Sequence, residues 1–440
     1  MTAIDSEIND AATAHKPDLY RRIAWRLLPF LFVGYILAFL DRVNVGFAAI
    51  RMQADLGFSA AVYGFGAGIF FIGYVLCEVP SNILLAKIGA RKTFTRIMIG
   101  WGMLSASTMF VQTPMQFYIV RFFLGAFEAG FGPGVILYLT YWFPTTMRGA
   151  IVATFGLAIP ISGIVGAPIS GFVMSHMDGV NGWHGWQWMF LIEGVPTAFF
   201  GLLAAFMLTD KPSEATWLTD GERSRVIAEV GTPSSGNGHG LKDVVRDPRV
   251  YSLGYVFFAI ASGIYVISFW LPTLIRDYGV IDPFNVGLLS AIPYLAGGLG
   301  MVVIGRHSDL RRERRWHTAV CMILGALGLV LSTFLADSLP LGLAVLSLAS
   351  FGLFGAYPVF WAIPMRYFSH IAAAAGIALV NTIAQLSGMA SPAIIGWIKT
   401  ATGSTNMGLY LFAGVLCVGA VLLVRGMPAK LIAERDRKQM

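Results

Sequence analysis

Twelve long runs of apolar residues follow one another along the chain, and they constrain its fold more than any other feature. A helix needs roughly 20 predominantly apolar residues to cross a bilayer. Runs of that order occupy residues 25–46, 61–85, 94–111, 115–137, 148–175, 188–208, 251–278, 285–305, 317–336, 339–364, 371–399 and 406–425. Only 12% of the 440 residues are charged, against about 25% in soluble domains. The pattern predicts an all-α membrane protein with twelve transmembrane helices in a lipid bilayer.

The Lys and Arg residues sort to one side of these spans. Of the 31, 26 fall on the side of both termini, three (Arg51, Arg276 and Lys399) fall on the other, and Arg42 and Arg121 lie inside spans. Because cytoplasmic loops carry the excess of Lys and Arg, we expect both termini to be cytoplasmic in a bacterial inner membrane. The net charge of +7 then reflects topology, and we expect no nucleic-acid partner.

The longest hydrophilic stretch divides six spans from six. The predicted organisation is a cytoplasmic tail (1–24), a six-helix bundle (25–208), a cytoplasmic linker (209–250), a second six-helix bundle (251–425) and a cytoplasmic tail (426–440). SGIVGAPISG (162–171) and SGMASPAIIG (387–396) occupy the same place in each half. Gly and Pro are common in membrane helices, but the matched location favours pseudo-symmetric halves with a substrate site between them near mid-membrane.

Four charged residues lie inside spans of the first half. Asp41 and Arg42 are neighbours in span 1, and Arg121 and Glu128 lie seven residues apart in span 4. Neighbours on a helix point about 100° apart, so Asp41 and Arg42 are each expected to pair with another helix. Seven residues correspond to about 10 Å along one helix face, so Arg121 and Glu128 meet only if they lean together or a third group bridges them.

Arginine and a carboxyl group in one cavity form a minimal device for coupling an anion to a proton. A guanidinium binds a carboxylate through two hydrogen bonds and stays charged. A carboxyl group in a low-dielectric cavity can load and release a proton. The alternative is an ion pair that locks two helices together, but ionisable groups inside membranes are usually functional. We therefore expect Asp41, Arg42, Arg121 and Glu128 to serve transport.

Two further acids have a weaker functional signal. Glu78 lies near the cytoplasmic end of span 2, and Glu193 lies in span 6. Either could titrate. The structural interpretation is favoured for both, as helix caps or as partners of loop arginines near the membrane ends.

The second half has no charge deep within any span and offers neutral polar and aromatic groups instead. Asn381 and Gln385 are four residues apart and share a helix face. They could hydrogen-bond a ligand or join helices, and the sequence favours neither. Tyr265 and Trp361 are candidates for stacking on a ligand, although core packing is the more common role of such aromatics.

No motif of the sequence supports an enzyme. It contains no GxxxxGK[ST] loop, no CxxC pair and no HExxH, so we expect no catalytic residue, no cofactor and no metal. His176 and His184 have ligand-like side chains, but eight-residue spacing without a third ligand is weak support for a metal. A sensor would need a signalling domain, and the linker is too short for one.

The motifs together resemble the major facilitator superfamily, and within it the anion:cation symporter family, over nearly the whole chain. The segments that carry the resemblance are FLDRVNVGFA, EVPSNILLAKIGARK, RFFLGAFEAGFGPGVILYLTYWFP, GWQWMFLIEGVP, RDPRVY, YVISFWLP and SDLRRERRWH. The superfamily's loop after span 2 usually carries a Gly and an Asp, but Asn82 and Ala86 stand there. A loop–helix charge latch is therefore in doubt in this half, whereas Asp309 keeps the acid in the second half.

The resemblance implies particular residue roles. Arg42 would bind the substrate carboxylate, Asp41 and Glu128 would be protonation sites, and Arg121 would tune Glu128. Members of the family take up tartrate, phthalate, hexonates, hydroxyphenylacetate or nicotinate. The apolar pocket helices incline the interpretation slightly toward an aromatic or a compact dicarboxylic acid.

Two neutral residues match the polar pocket positions of hexonate carriers in the family, namely Tyr74 and Asn381. The predicted function is proton-coupled uptake of a small organic anion by a monomer through alternating access. An exporter or an organic anion exchanger of the same fold is the alternative.

Overall fold

A computed structural model of the chain describes residues 16–230, 246–367 and 370–427, and these residues are helical apart from short connections. The outer parts of both predicted tails and the middle of the linker lie outside the described residues. The helices are α1 (Lys16–Leu56), α2 (Ala60–Ile88), α3 (Ala90–Ser107), α4 (Pro114–Glu128), α5 (Phe131–Trp142), α6 (Thr145–Gly156), α7 (Ala158–His176), α8 (Gly185–Met207), α9 (Asp220–Val230), α10 (Pro248–Asp277), α11 (Pro283–Arg311), α12 (Arg315–Phe334), α13 (Leu339–Tyr367), α14 (His370–Thr402) and α15 (Asn406–Gly426).

Eleven stretches of the described chain are long and apolar enough to cross a membrane, and they coincide with eleven of the twelve predicted spans. The remaining span corresponds to α3, which has 18 residues and begins with basic side chains at Arg91, Lys92 and Arg96. α4 and α5 together form the fourth span. They are separated at Gly130, whose φ of 86° is left-handed and therefore favours glycine. α6 and α7 together form the fifth span.

The two halves meet mainly along two pairs of helices, α2 with α14 and α7 with α11, and to a smaller extent along α1 with α10. The repeated glycines lie at these contacts. A Cβ atom on Gly171 would lie 2.4 Å from the carbonyl oxygen of Pro283, and one on Gly396 would lie 2.3 Å from the carbonyl oxygen of Ala60. Both glycines thus allow backbone-to-backbone contact between the halves. The predicted repeat consequently reappears as a matched pair of close helix contacts.

We call the end of the bundle where α1 begins and α15 ends the terminal face, and the other end the far face. At the far face, the Tyr63 hydroxyl donates to the carbonyl oxygen of Phe269 at 2.7 Å, and Arg276 Nη1 donates to that of Ile50 at 2.6 Å. Nearer the terminal face, a cleft of ≈ 380 Å³ separates α2 from α14. The protein is therefore closed at the far face. The cleft is lined by Glu78, Val79, Asn82, Ile83, Ala86, Ala378, Asn381 and Thr382.

The residues after α8 pack against the terminal face of the first half. Asp210 Oδ1 accepts a hydrogen bond from the backbone N–H of Arg91 at 2.7 Å, in the first turn of α3. A carboxylate there pairs with unsatisfied N–H groups and the positive end of the helix dipole. Asp210 thus places an acid beside the loop after α2, where the resemblance left a charge latch in doubt. In the second half, Asp309 pairs with Arg314.

The close contact between α2 and α14 at the far face predicts that adding one methyl group at Gly64 increases the distance between the two helices. In Gly64→Ala, the new Cβ would lie 2.2 Å from the carbonyl oxygen of Pro392, so α2 and α14 must separate. We expect a longer distance between spin labels at Phe65 on α2, which is exposed, and Ala401 on α14, measured by double electron–electron resonance without the native cysteines. Gly414→Ala, which meets open space, should leave the distance unchanged. An unchanged distance in Gly64→Ala would contradict the packing described.

Candidate functional site

Arg42 and Glu128 form an ion pair inside the first half. Arg42 Nη2 of α1 donates to Glu128 Oε1 at the last residue of α4. Their side chains are 8% and 1% exposed, respectively. The expectation that Arg42 pairs with another helix is confirmed. Shielding from water makes this contact stronger than a surface pair, and it also makes an unmatched charge here costly.

Four aromatic rings surround the guanidinium of Arg42. Its central carbon lies 4.8 Å from the ring centroid of Phe39, 5.3 Å from Phe70, 5.8 Å from Phe71 and 5.3 Å from Tyr74. Cations are attracted to the faces of such rings. The rings hold the guanidinium in place and exclude water, and they leave the remaining N–H groups as donors. Tyr74, which the resemblance singled out, is part of this shell.

Arg121 lies on the same Phe70 ring as Arg42. Its central carbon is 5.1 Å from that ring's centroid, and its Nε donates to the carbonyl oxygen of Gly66 at 3.4 Å. In the part of the chain that the structure describes, Arg121 has no hydrogen bond to Glu128. Residues seven positions apart on a helix lie about 10 Å apart along its axis, so Arg121 and Glu128 do not meet directly. A third group would be needed to bridge them.

The three buried charges leave unused hydrogen-bonding atoms. Arg42 Nε, Arg121 Nη2 and Glu128 Oε2 are buried without partners among the described residues. Two guanidinium groups face a single carboxylate, so the cluster carries one formal positive charge in excess. Buried N–H donors and unbalanced charge are both costly when left unpaired. The site has the charge and the donors to hold one more carboxylate.

Asp41 lies apart from these charges. It is fully buried, and its carboxylate accepts hydrogen bonds from Trp101 Nε1 at 2.8 Å and from Ser105 Oγ at 2.6 Å, both on α3. Because Asp41 and Arg42 are consecutive on α1, they point to different sides of that helix. The four charges expected to act together therefore divide into two clusters on either side of α1.

Glu193 joins Asp41 in the second cluster, which sequence reasoning did not foresee. Its carboxylate accepts from Ser170 Oγ of α7 at 2.6 Å and from Asn44 Nδ2 of α1 at 3.0 Å. Asn44 Nδ2 also lies 3.5 Å from Asp41 Oδ1. The expectation that Glu193 caps a helix or pairs with a loop arginine was wrong, because it lies two turns inside α8 and faces α1 and α7. The sequence feature that could have indicated this cluster is Asn44, a polar residue inside a span and three residues after Asp41.

The second half contributes neutral groups close to the arginines. Tyr265 donates to Gln385 Oε1 at 3.2 Å, and the Tyr265 ring lies 4.8 Å from that of Phe71. Tyr265 and Gln385, both candidates for substrate contact, therefore lie beside the aromatic rings that surround Arg42. Asn381 instead lines the cleft towards the terminal face, together with Glu78.

Trp361, a further candidate, lies farther inside the second half. Its ring packs against Phe257 at 4.7 Å and Phe360 at 5.7 Å between ring centroids. These contacts are typical of core packing.

Long apolar helices in two halves, joined around buried charge, define a multi-pass membrane transport protein. The chain belongs to the Major Facilitator Superfamily, whose family model matches residues 31–392 and 282–439. It is a transporter and not an enzyme.

Three relatives are similar over nearly their full length. "Putative metabolite transport protein NicT" of Pseudomonas putida is 44% identical, covering 98% of each chain. "Putative tartrate transporter" of Agrobacterium vitis is 44% identical over 95% of this chain and 94% of the relative. "Quinolone resistance transporter" of Acinetobacter baumannii is 39% identical over 92% and 94%. The relatives share the transporter class and differ in the compounds their names mention.

Two solved structures have the same fold. The xylose transporter XylE from E. coli, in a partially occluded inward-open conformation, matches with a TM-score of 0.73 and 14% identity over 92% of this chain and 98% of that one. A bacterial homolog of the human lysosomal transporter Spinster, inward-facing and unoccupied, matches with a TM-score of 0.71 and 17% identity over 96% and 98%. These similarities confirm the predicted two-bundle architecture.

The hydrogen bond from Trp101 to Asp41 predicts a stability difference between two buried tryptophans. Trp101→Phe leaves a buried acceptor unpaired, which costs about 1–3 kcal/mol. Trp270 is also 0% exposed, but its Nε1 has no partner among the described residues, so Trp270→Phe removes no hydrogen bond. We expect a lower melting temperature for Trp101→Phe than for Trp270→Phe in detergent. Equal melting temperatures would contradict the hydrogen bond.

Proposed function

We propose that this transporter takes up a small organic carboxylate together with protons across a bacterial inner membrane. The supporting observation is the charge balance around Phe70, where two guanidinium groups, those of Arg42 and Arg121, lie near one carboxylate, Glu128, which of the two only Arg42 contacts. A bound carboxylate would reduce the excess positive charge and accept hydrogen bonds from N–H groups that lack partners among the described residues. The arginine fork, which stays charged, suits a carboxylate better than a neutral ligand.

Proton coupling follows from competition for Arg42. While Glu128 is ionised, it occupies one edge of the Arg42 guanidinium and opposes a second anion. When Glu128 takes a proton, its charge disappears and Arg42 is released for the substrate carboxylate. Proton and anion thus favour each other's binding, and by linkage the effect is reciprocal. Arg121, which contacts the same Phe70 ring, tunes Glu128, and Asp41 is a further protonation site on α1.

The surroundings of Arg42 favour a planar or compact acid. Phe39, Phe70, Phe71 and Tyr74 form a mostly apolar wall against which an aromatic ring can stack. Tyr265 and Gln385, with Asn381 and Trp361 farther away, supply the second half's contacts. The names of relatives include tartrate, a compact dihydroxy diacid, so both aromatic and hydroxy acids belong in the first substrate panel.

Transport proceeds by alternating access of a monomer. The far face is closed by contacts such as Tyr63 with Phe269, and the cleft lies toward the terminal face. With the excess of Lys and Arg assigning the terminal face to the cytoplasm, this conformation faces inward. The halves would rock about α2–α14 and α7–α11 to expose Arg42 to the outside.

A ligand screen combined with Arg42 variants tests the proposal. A carboxylic acid that binds the folded protein at 100 times its Kd stabilises it by about 2.7 kcal/mol, which raises the melting temperature. We expect such a shift from at least one acid of a tartrate, phthalate and nicotinate panel. We also expect Arg42→Ala and Arg42→Lys to abolish proteoliposome uptake of that acid. Arg51→Ala, at an exposed far-face position, is the control. Full uptake by Arg42→Lys would overturn the assignment.

Replacing Glu128 separates symport from exchange. Glu128→Gln cannot lose or gain a proton, so we expect it to lose accumulation driven by a proton gradient while it retains counterflow of the same acid. The measurement is radiolabel uptake with and without an imposed pH difference. Full gradient-driven accumulation by Glu128→Gln would exclude Glu128 as the coupling site. A wild-type protein that exchanges anions but never accumulates them would instead support the exchanger.

A further inference from the structure

The cluster on the α3 side of α1 contains two buried carboxyl groups and no matching cation. Asp41 is 0% and Glu193 is 6% exposed. Among the described residues, neither forms a salt bridge, because Arg42 is turned toward Glu128. Asp41 is hydrogen-bonded by Trp101 and Ser105 of α3, and Glu193 by Ser170 of α7 and Asn44 of α1, none of which is charged. Glu128 on α4 is a further titratable group within electrostatic range of Asp41. Asp41 is the titratable group that faces Glu193.

One buried hydrogen-bond acceptor of this cluster lacks a donor among the described residues. Trp101, Ser105 and Ser170 each donate to a carboxylate oxygen, and Asn44 Nδ2 donates to Glu193 and approaches Asp41. Asn44 is 1% exposed, yet its Oδ1 has no partner within the part of the chain that the structure describes. A buried acceptor without a donor is costly. A carboxyl O–H is a donor that this cluster can supply once a proton binds.

A bound proton would reduce the negative charge of the two carboxylates and would also supply the hydrogen-bond donor that Asn44 Oδ1 lacks. Two carboxylates removed from water and linked through one amide repel each other. Arg121 is within electrostatic range of Asp41, but among the described residues no cation forms an ion pair with either carboxylate. When hydronium transfers one proton to either carboxylate, one O–H bond of hydronium breaks, one carboxyl O–H bond forms, a water molecule is released and one negative charge of the cluster disappears. The acid can then donate to its partner carboxylate or to the amide oxygen of Asn44, after the amide reorients.

We propose that Glu193 and Asp41 form one shared proton-binding site, bridged by Asn44 and separate from the Arg42–Glu128 pair. The inference deepens the proposed function, on which it rests, by giving the first half two proton sites on opposite sides of α1. Glu193 lies eight residues into α8 from the far face, roughly 12 Å along the helix axis.

The test is infrared spectroscopy of the purified full-length protein without substrate. Protonated carboxyl groups have a carbonyl stretch that carboxylates lack, so a pH titration follows each proton. Coupled groups lose their protons in two steps that belong to the pair. We expect Asp41→Asn and Glu193→Gln each to remove one step and to move the other. Asn44→Ala, which keeps both acids, should change the separation of the steps.

Glu78→Gln is the matched control, since it also replaces a carboxyl by an amide but lies in the cleft. It should leave both steps in place. The inference fails if Glu193→Gln leaves the titration of the cluster unchanged, or if each single replacement removes its own step without moving the other. Should Asp41→Asn not fold, Glu193→Gln and Asn44→Ala still decide the question. Since no substrate is present, failure here is distinguishable from failure of anion uptake by the Arg42 variants.

Discussion

The buried contact between Arg42 and Glu128, with Arg121 nearby, is the constraint on which the rest of the site depends. A charge taken out of water costs several kcal/mol unless it is matched. Here two guanidinium groups have one carboxylate between them. Phe70 contacts both guanidinium groups, and three more rings exclude water around Arg42. The remaining positive charge and the donors without partners among the described residues support the proposal that the ligand is an anion.

Helix α1 links two polar clusters because consecutive residues point in different directions. Arg42 belongs to the side that meets α2 and α4, while Asp41 and Asn44 meet α3 and α8. A rotation of α1 that accompanies a change of pairing at Arg42 would therefore also move Asp41. In the proposed transport cycle, the two halves would rock about the close glycine contacts of α2 with α14 and of α7 with α11.

Much of the architecture could be predicted from the sequence, because hydrophobic length and basic loops follow directly from bilayer thickness and membrane topology. The intramembrane positions of Arg42 and Glu128 were also evident. Their partnership was not, since it depends on how α1 and α4 are rotated. Glu193 was misjudged for the same reason: its partner Asn44 lies 149 residues away in sequence. The cap that Asp210 places on α3 was equally hidden, because it joins segments 119 residues apart.

The most direct test of the account is the number of protons taken up when the anion binds. The acid found by the ligand screen is added to purified protein in weakly buffered solution, and a pH indicator records the change. The account predicts net proton uptake by the wild-type protein in proportion to bound anion, and less uptake by Glu128→Gln. Anion binding without proton uptake, or equal uptake by both proteins, would contradict the claim that Glu128 and the substrate compete for Arg42.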